Sequence, residues 1–242
     1  MTHDNSMAEL LAGKMPERYW RNQGTIGVAG QLQLLQAKVA VVGAGGLGGH
    51  VIELLARQGI GFLTVIDGDC FVSHNLNRQV LATGKTLGQN KVAVAADRVA
   101  EINPDVSVTV HSSRLTEANA AEFLAGMDVI VDALDNFSSR RLLYQRAQQL
   151  RIPLIHAAIA GFTGQVTTIL PGDFAAASLF EQPELLNQGI EVSLGNPAAT
   201  PAFAAAMQVQ EAVKLITGIG QPLQGKIFYF DLEYNLFELI QL

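Results

Sequence analysis

Short apolar runs alternate with amphipathic stretches along most of the chain, which is the pattern of an α/β protein. Apolar runs of strand length occur at 38–42, 62–66, 106–111, 129–132 and 153–158. Between them, apolar residues recur at helical spacing over 46–58, 90–102, 117–124 and 138–150. Strands that alternate with helices predict a parallel, doubly wound sheet with helices on both faces.

The pattern changes after residue 161. A strand at 165–170 follows without an intervening helix, and 226–230 and 236–240 are typical of a closing hairpin. The stretch 171–201 is weakly patterned and is expected to be a mobile loop, while 202–216 predicts a helix. At the other end, 1–36 is an N-terminal arm that is amphipathic from about residue 7. We predict one domain over 1–242: a doubly wound, mostly parallel Rossmann-like sheet with an antiparallel C-terminal extension.

Composition and charge narrow the class of protein. The 242 residues are 49% hydrophobic and 16% charged, as in a globular chain, and the formal net charge is −6. A negative chain is a poor nucleic-acid binder by bulk electrostatics. No apolar run approaches the roughly 20 residues of a membrane span. Because the N-terminal twenty residues lack a basic segment followed by an apolar core, we expect no secretory signal and a cytoplasmic location.

A glycine-rich turn follows the first predicted strand and precedes a helix. In it, Gly43 permits a sharp turn, Gly45 permits close approach of a phosphate, and Gly48 permits close helix packing. Asp67 ends the next strand, where a carboxylate accepts hydrogen bonds from ribose hydroxyls. This pattern indicates a nucleotide site, with NAD as the default ligand; the alternative is a glycine turn without a ligand.

Two basic residues favour a triphosphate over a dinucleotide. Arg78 lies in the polar stretch 73–79, and Lys91 lies at the start of the next predicted helix. A guanidinium fork and an ammonium point charge both suit phosphate oxygens. The alternative is a solvated loop followed by an ordinary helix-start lysine.

A third polar group follows the strand at 129–132. Beside a triphosphate, Asp135 is placed to hold Mg²⁺, which prefers oxygen ligands, while Asp132 is expected to orient the loop. Residue type alone fits another role equally well, because Asp135 or Asn136 could cap the following helix.

Taken in order, several blocks resemble the MoeB/ThiF/HesA family, the bacterial relatives of ubiquitin-activating enzymes. The blocks are GAGGLGG, LTVIDGDCFVSHNLNRQ, GQNKV, INPDV and DALDNFSSR, flanked by RYWRNQ and by QEAVKLITG with GKIFYFD. The resemblance covers nearly the whole chain. It implies an adenylyltransferase that uses ATP and Mg²⁺ to activate the C-terminal Gly-Gly carboxylate of a small ubiquitin-like sulfur carrier similar to MoaD or ThiS. Such carriers serve molybdenum- or tungsten-cofactor or thiamine synthesis.

The resemblance also implies roles for individual residues. Arg21, in the N-terminal arm, would reach the γ-phosphate across a homodimer, and Asp135 would hold Mg²⁺. Asn75, Arg78 and Lys91 would handle the phosphates, and Asp67 the ribose. The remaining nucleotide-binding positions are Gly43, Gly45, Gly46, Gly48, Asp69 and Leu134.

The chain departs from this family in its cysteines. Many relatives carry two Cys-x-x-Cys pairs for a structural zinc, but the matching stretches here are PGDFAAASLFEQ and ELIQL, so zinc of that type is excluded. Some relatives use a cysteine before the final helix for a thioester or persulfide, and the loop QGIEVSLGNPAATPAF has none. Cys70, the one cysteine, is expected to be a small buried hydrophobe, and His156 to be structural.

Three alternatives to carrier activation stay open at this point. The chain could adenylate another acceptor, such as a peptide C-terminus or a tRNA nucleoside, although its negative charge disfavours tRNA. It could be a nucleotide-binding scaffold without turnover. A plain NAD oxidoreductase fits the added cations poorly.

Overall fold

A mixed sheet of eight strands organises the computed structural model, which describes residues 3–180 and 194–242. The strands are β1 (Lys38–Val42), β2 (Phe62–Ile66), β3 (Ser107–His111), β4 (Val129–Asp132), β5 (Leu154–Ala160), β6 (Thr163–Ile169), β7 (Lys226–Asp231) and β8 (Leu236–Gln241). The α-helices are α1 (His3–Leu11), α2 (Gln23–Gln36), α3 (Gly46–Gln58), α4 (Lys91–Ile102), α5 (Ala120–Leu124), α6 (Phe137–Leu150) and α7 (Ala199–Thr217). Short 3-10 helices occur at Glu17–Asn22, Ser73–Asn75 and Ala175–Phe180.

The first half of the sheet is parallel, in the order β3-β2-β1-β4-β5. β1 pairs with β2 on one side and with β4 on the other. Because the chain leaves β1 toward β2 and later returns to the other side of β1, the carboxyl ends of β1 and β4 border a topological switch point. Open α/β sheets bind their ligands at such a point.

The second half is antiparallel. β6 turns back beside β5, and β7 and β8 extend the sheet in the same manner. The predicted fold, a mostly parallel doubly wound sheet with an antiparallel C-terminal extension, is therefore confirmed. All six residues of β8 are exposed, so this strand forms an open edge.

Alternation along the strands divides the apolar interior into two cores. Val39 and Val41 of β1 face a core shared with α3, α4 and α7, whereas Ala40 and Val42 face a core shared with α5 and α6. The period of two is that of a strand buried on both faces. No helix in the described part of the chain is long and apolar enough to cross a membrane.

The N-terminal arm packs at the end of the sheet opposite the switch point. Tyr19, in the 3-10 helix Glu17–Asn22, accepts a 2.8 Å hydrogen bond from Asn103 Nδ2, and a Cβ atom at Gly59 would lie 2.6 Å from the Tyr19 ring. Asn103 and Gly59 terminate α4 and α3. Helices that connect parallel strands run against them, so both C-termini lie at the amino ends of the strands. Burial raises the pKa of Tyr19, which keeps its phenol neutral.

Two details differ from the sequence-based expectations, and a third stays a prediction. The stretch 171–201, expected to be a mobile loop, contains the 3-10 helix Ala175–Phe180 and the first residues of α7, while 181–193 lie outside the described residues, so its mobility stays a prediction. The arm contains an additional helix, α1, that starts at His3, ahead of the amphipathic stretch predicted from residue 7. Cys70 is exposed rather than buried, because it follows β2 in an open connection that forms an isolated bridge with Asn90.

Candidate functional site

The glycines of the turn between β1 and α3 are required for different reasons. Gly43 has φ +100°, and a Cβ there would lie 2.5 Å from the carbonyl oxygen of Ala133. A Cβ at Gly48 would lie 1.8 Å from the carbonyl oxygen of Gly43, so α3 approaches the turn only with glycine at this position. At Gly45 a Cβ would meet nothing closer than Gln79 Nε2 at 3.6 Å. No side chain caps α3, so its first N–H groups are available to an anion.

A fixed carboxylate and a buried ammonium lie beside this turn. Asp67 Oδ2 accepts a 2.7 Å hydrogen bond from the Ala44 N–H, and Oδ1 accepts a 2.8 Å bond from the Asp69 N–H. Lys91 Nζ is 3.4 Å from Asp69 Oδ2 and 3.9 Å from Asp67 Oδ2. These distances exceed the ~2.7–2.9 Å of strong charge-assisted bonds. The buried Lys91 side chain, 8% exposed, therefore keeps donor capacity for a further anion, unlike a solvated helix-start lysine.

The polar stretch 73–79 brings Arg78 to the site and uses Asn75 to shape the turn. Asn75 is buried, and its Oδ1 accepts a 3.0 Å bond from the Val72 N–H. Its carbonyl oxygen accepts from the N–H groups of Arg78 and Gln79 at 3.2 and 2.9 Å. Arg78 Nη1 donates to the His74 carbonyl at 2.9 Å. Asn75 thus orders the backbone that presents the two following side chains.

The sequence left open whether Asp135 or Asn136 caps the helix after β4, and the structure of this loop gives the answer. Asn136 Oδ1 accepts a 2.9 Å bond from the Ser139 N–H and caps α6. Asp135 is exposed and makes one weak contact, 3.4 Å from Asn136 Nδ2. The cap therefore falls on Asn136, and the Asp135 carboxylate is open to a ligand.

Two buried side chains fix this loop from behind. Asp132 Oδ1 accepts a 3.0 Å bond from the Leu134 N–H, and Asp132 Oδ2 lies 2.7 Å from His156 Nδ1. Arg140, 7% exposed, donates through Nε and Nη2 to the Leu134 carbonyl at 3.1 and 2.7 Å. The loop is thus held at both the N–H and the carbonyl of Leu134, and His156 has the structural role expected of it.

A cleft of about 780 Å³ lies at the switch point, and many of these groups line it. The predicted residues that line it are Gly43, Gly45, Gly46, Asp67, Asp69, Arg78, Lys91, Leu134 and Asp135. Gly48 and Asn75 lie behind this surface and shape it. Residues that line the cleft but were not predicted are, among others, Gln79, Arg114, Arg140 and Asn196.

Arg21 lies elsewhere. It is exposed, and it belongs to the same 3-10 helix as Tyr19, at the amino ends of the strands. The 13 residues of α3 separate that end from the cleft, which corresponds to about 20 Å at 1.5 Å per residue. An arginine side chain does not span that distance, so Arg21 does not reach the cleft of its own chain.

A glycine turn, a fixed carboxylate and several cations at the switch point of a doubly wound sheet define a nucleotide-binding α/β protein. Comparison with known proteins then identifies its family. The model of the ThiF family matches residues 19–242, and the chain belongs to this family.

Similar proteins support the assignment over nearly the full length. The chain is 39% identical to the "SAMP-activating enzyme E1" of Haloferax volcanii, over 93% of this chain and 84% of that protein. It is 37% identical to a "Sulfur carrier protein adenylyltransferase" of Thermus thermophilus, over 89% and 83%. Among solved structures, that of PaaA has a TM-score of 0.80 at 26% identity and covers 93% of this chain and 72% of that chain.

Proposed function

We propose that this protein is an ATP-dependent adenylyltransferase that activates the C-terminal carboxylate of a ubiquitin-like sulfur carrier as an acyl-adenylate. One observation carries the proposal: the cleft joins an uncapped helix N-terminus to Arg78, Lys91, Arg114 and Arg140 beside a ribose-type carboxylate. A dinucleotide does not need so many cations. A relative that aligns over most of both chains is named a sulfur carrier protein adenylyltransferase.

The proposed reaction joins two anions, and the cleft supplies the opposing charge. A carboxylate oxygen of the carrier tail attacks the α-phosphorus of ATP, the new C–O–P linkage forms, and the bond to the β-phosphate oxygen breaks to release pyrophosphate. The attacking carboxylate is already ionised at neutral pH, so no side chain has to remove a proton. Catalysis then rests on positioning and on charge stabilisation. Arg78 and Lys91 would stabilise the charge that accumulates on the pyrophosphate.

The donor set of the cleft fits Mg²⁺ as part of the proposal. Magnesium in nucleotide sites is commonly bound by one or two carboxylates together with substrate phosphates and water. Asp135 offers such a carboxylate, because Asn136 has taken the capping role. No group of three His, Cys, Asp or Glu side chains is clustered for a metal in residues 3–180 and 194–242. When bound, Mg²⁺ would neutralise phosphate charge, and Arg140 would keep Asp135 in place through the Leu134 carbonyl.

The position of Arg21 supports the proposal of a homodimer in which each chain forms one adenylation domain. Arg21 does not reach its own cleft, and a second copy related by a twofold axis would bring its arm to the partner's cleft. Residues 1–36 would then supply part of the interface. The exposed Trp20 beside Arg21, 61% accessible, provides apolar surface for such a contact.

Pyrophosphate exchange tests the proposed activity. Radiolabelled pyrophosphate is expected to enter ATP when Mg²⁺ and a Gly-Gly-tailed carrier from the source genome are both present. Arg78→Ala, Lys91→Ala and Asp135→Ala should each lower exchange by at least about a hundredfold, the usual size for removing an electrostatic group that acts in the transition state. Lys85→Ala is the matched control, because Lys85 is exposed on the same connection but does not line the cleft. Absence of exchange with every such carrier would reject the proposal.

A further inference from the structure

The 3-10 helix that carries Arg21 is held on both sides of that residue. Tyr19 is buried, and its phenol oxygen accepts the 2.8 Å hydrogen bond from Asn103 Nδ2. Asn22 Nδ2 donates a 2.8 Å hydrogen bond to Gln31 Oε1. The Arg21 side chain itself is exposed, and it makes no hydrogen bond or ion pair within the described part of the chain. Arg21 is therefore presented to solvent between two anchored neighbours.

Two buried amides anchor this helix to the body of the domain. Asn103 Nδ2 also donates a 2.8 Å hydrogen bond to the Ala56 carbonyl, and Asn103 Oδ1 accepts from Arg18 Nη1. Gln31 Nε2 donates a 3.0 Å hydrogen bond to the Gln58 carbonyl. Each amide thus uses its donor and its acceptor at the same time. Because these bonds are directional, they set the orientation of the 3-10 helix as well as filling the space beneath it.

A buried carboxylate holds the arm at a third point. Asp105 is fully buried, and its Oδ2 accepts a 2.5 Å hydrogen bond from Ser6 Oγ in α1. The same oxygen lies 3.8 Å from Arg18 Nε. A carboxylate removed from water requires such partners. The residues just after α4 are therefore attached both to α1 and to the 3-10 helix.

The anchoring residues lie at the far ends of two helices that begin in the cleft. α3 begins in the glycine turn and ends at Gln58, and α4 begins at Lys91 and ends just before Asn103. Asn103 could therefore influence either Lys91 of its own chain, through α4, or Arg21. The contacts favour Arg21, because Asn103 bonds directly to two side chains of the 3-10 helix, whereas about 18 Å of α4 separates it from Lys91.

We propose that Asn103 and Gln31 are positioning residues for Arg21, and that they serve the active site of the partner chain rather than the cleft of their own chain. This inference rests on the proposed function and its homodimer. A 3-10 helix has poorer hydrogen-bond geometry than an α-helix, so it depends on outside contacts to keep one orientation. Misplacement by about 1 Å, far from the reacting atoms, can lower a rate about a hundredfold. The two amides therefore determine whether Arg21 reaches the phosphates.

Three variants test the anchoring contacts. Asn103→Leu and Gln31→Met nearly keep side-chain volume but remove the amides, and each should lower pyrophosphate exchange by at least about tenfold. Tyr19→Phe removes only the phenol oxygen and should lower exchange by about fivefold, the value of one net hydrogen bond. Thr167→Val is the matched control. It removes a buried 2.8 Å bond from Thr167 Oγ1 to the Lys226 carbonyl in the sheet and should leave exchange unchanged.

Subunit mixing identifies the chain on which Asn103 acts. In a mixed dimer of Asn103→Leu and Lys91→Ala, the intact cleft of the first chain meets the intact arm of the second. About a quarter of wild-type exchange should then return, since half of the dimers are mixed and each has one intact site. Asn103→Leu mixed with Arg21→Ala should recover nothing above the residual exchange of Asn103→Leu, because both arms are damaged.

Each other outcome overturns the inference. Recovery with Arg21→Ala but not with Lys91→Ala would show that Asn103 acts through α4 on its own cleft. Recovery with neither would show a general defect of the fold. If Asn103→Leu does not fold, Tyr19→Phe repeats both mixtures with the same expectations. A failure of Arg21→Ala and Lys91→Ala to complement each other would instead reject the proposed homodimer, and this inference with it.

Discussion

One turn contains three glycines, and the structure constrains each of them differently. At Gly48, the Gly43 carbonyl leaves no room for a side chain. At Gly43, the φ angle and the Ala133 carbonyl both exclude one. A Cβ at Gly45 would meet only the Gln79 side chain, at an ordinary contact distance of 3.6 Å. The space beside Gly45 is therefore expected to belong to the ligand, whereas the space beside Gly48 belongs to the fold.

This difference predicts two separable defects. Gly48→Ala should lower the free energy of unfolding by about 3 kcal/mol, at the upper end for overpacking, because its Cβ overlaps a backbone oxygen. Gly45→Ala should change stability by less than about 1 kcal/mol, but it should weaken ATP binding by at least about tenfold, since its Cβ occupies the phosphate position. Chemical denaturation and calorimetry measure the two quantities. A Gly45→Ala variant that binds ATP normally would contradict the assignment.

Single residues also show how far the sequence alone predicts the site. Asp67, Arg78, Lys91 and Asp135 line the cleft as expected. Asp67 and Asp135 follow strand ends, Lys91 begins α4, and Arg78 lies in the polar stretch between β2 and α4. Asn196 was not predictable in this way. It comes from a weakly patterned stretch far along the chain, and only the packing of α7 brings it to the turn.

At the scale of elements, the phase of α6 determines which of two adjacent arginines lies in the interior. Arg140, Leu143, Tyr144 and Ala147 share the buried face of the helix, at spacings of three, four and seven. Arg141 falls on the exposed face. Helical periodicity therefore contained a signal for the buried Arg140, although nothing in the sequence indicated that it would bind the Leu134 carbonyl.

Because Arg140 is buried and Arg141 is exposed on the same helix, substitutions at these two positions form a matched pair. Arg140→Met should lower pyrophosphate exchange by at least about tenfold and raise the Mg²⁺ concentration needed for half-maximal exchange, because the loop that carries Asp135 loses both charge-assisted bonds. Arg141→Met should leave both unchanged. In an Asp135→Asn background, Arg140→Met should have little further effect. Additive effects of the two substitutions would show that Arg140 acts independently of Asp135.

Apolar periodicity predicted the strands and the long helices, but it predicted the N-terminal arm less completely. The 3-10 helix Glu17–Asn22 is held by the contacts of Tyr19 with the ends of α3 and α4. Such short helices depend on tertiary contacts and have no periodic signal of their own. The antiparallel pairing of β6 was predictable, because no helix separates it from β5.

At the scale of the whole molecule, the separation of Arg21 from the cleft means that, in the proposed homodimer, each active site would be built from two chains. Its parts come from opposite ends of one sheet, about 20 Å apart along α3. Dilution should therefore lower specific activity when it dissociates the dimer.

If both chains of the proposed dimer contribute to each active site, two inactive variants should complement each other. Arg21→Ala and Lys91→Ala should each be inactive, but mixed subunits should recover about a quarter of wild-type exchange, since half of the dimers are mixed and each has one intact site. Lys91→Ala mixed with Arg78→Ala should recover nothing, because both substitutions damage the same cleft and leave no intact site in any dimer that carries both. The assay is pyrophosphate exchange after subunit exchange. Failure of the first mixture to recover activity would place Arg21 outside the site.

The exposure of Cys70 has a practical consequence. It is the one thiol in the chain, it is open to solvent, and it is flanked in sequence by Asp69 of the cleft and bridged to the residue before Lys91. A maleimide fluorophore would therefore attach at a single defined position without any engineered cysteine. Its emission would respond as the cleft fills and empties, so the native chain already contains the attachment point for an optical sensor of its own ligand.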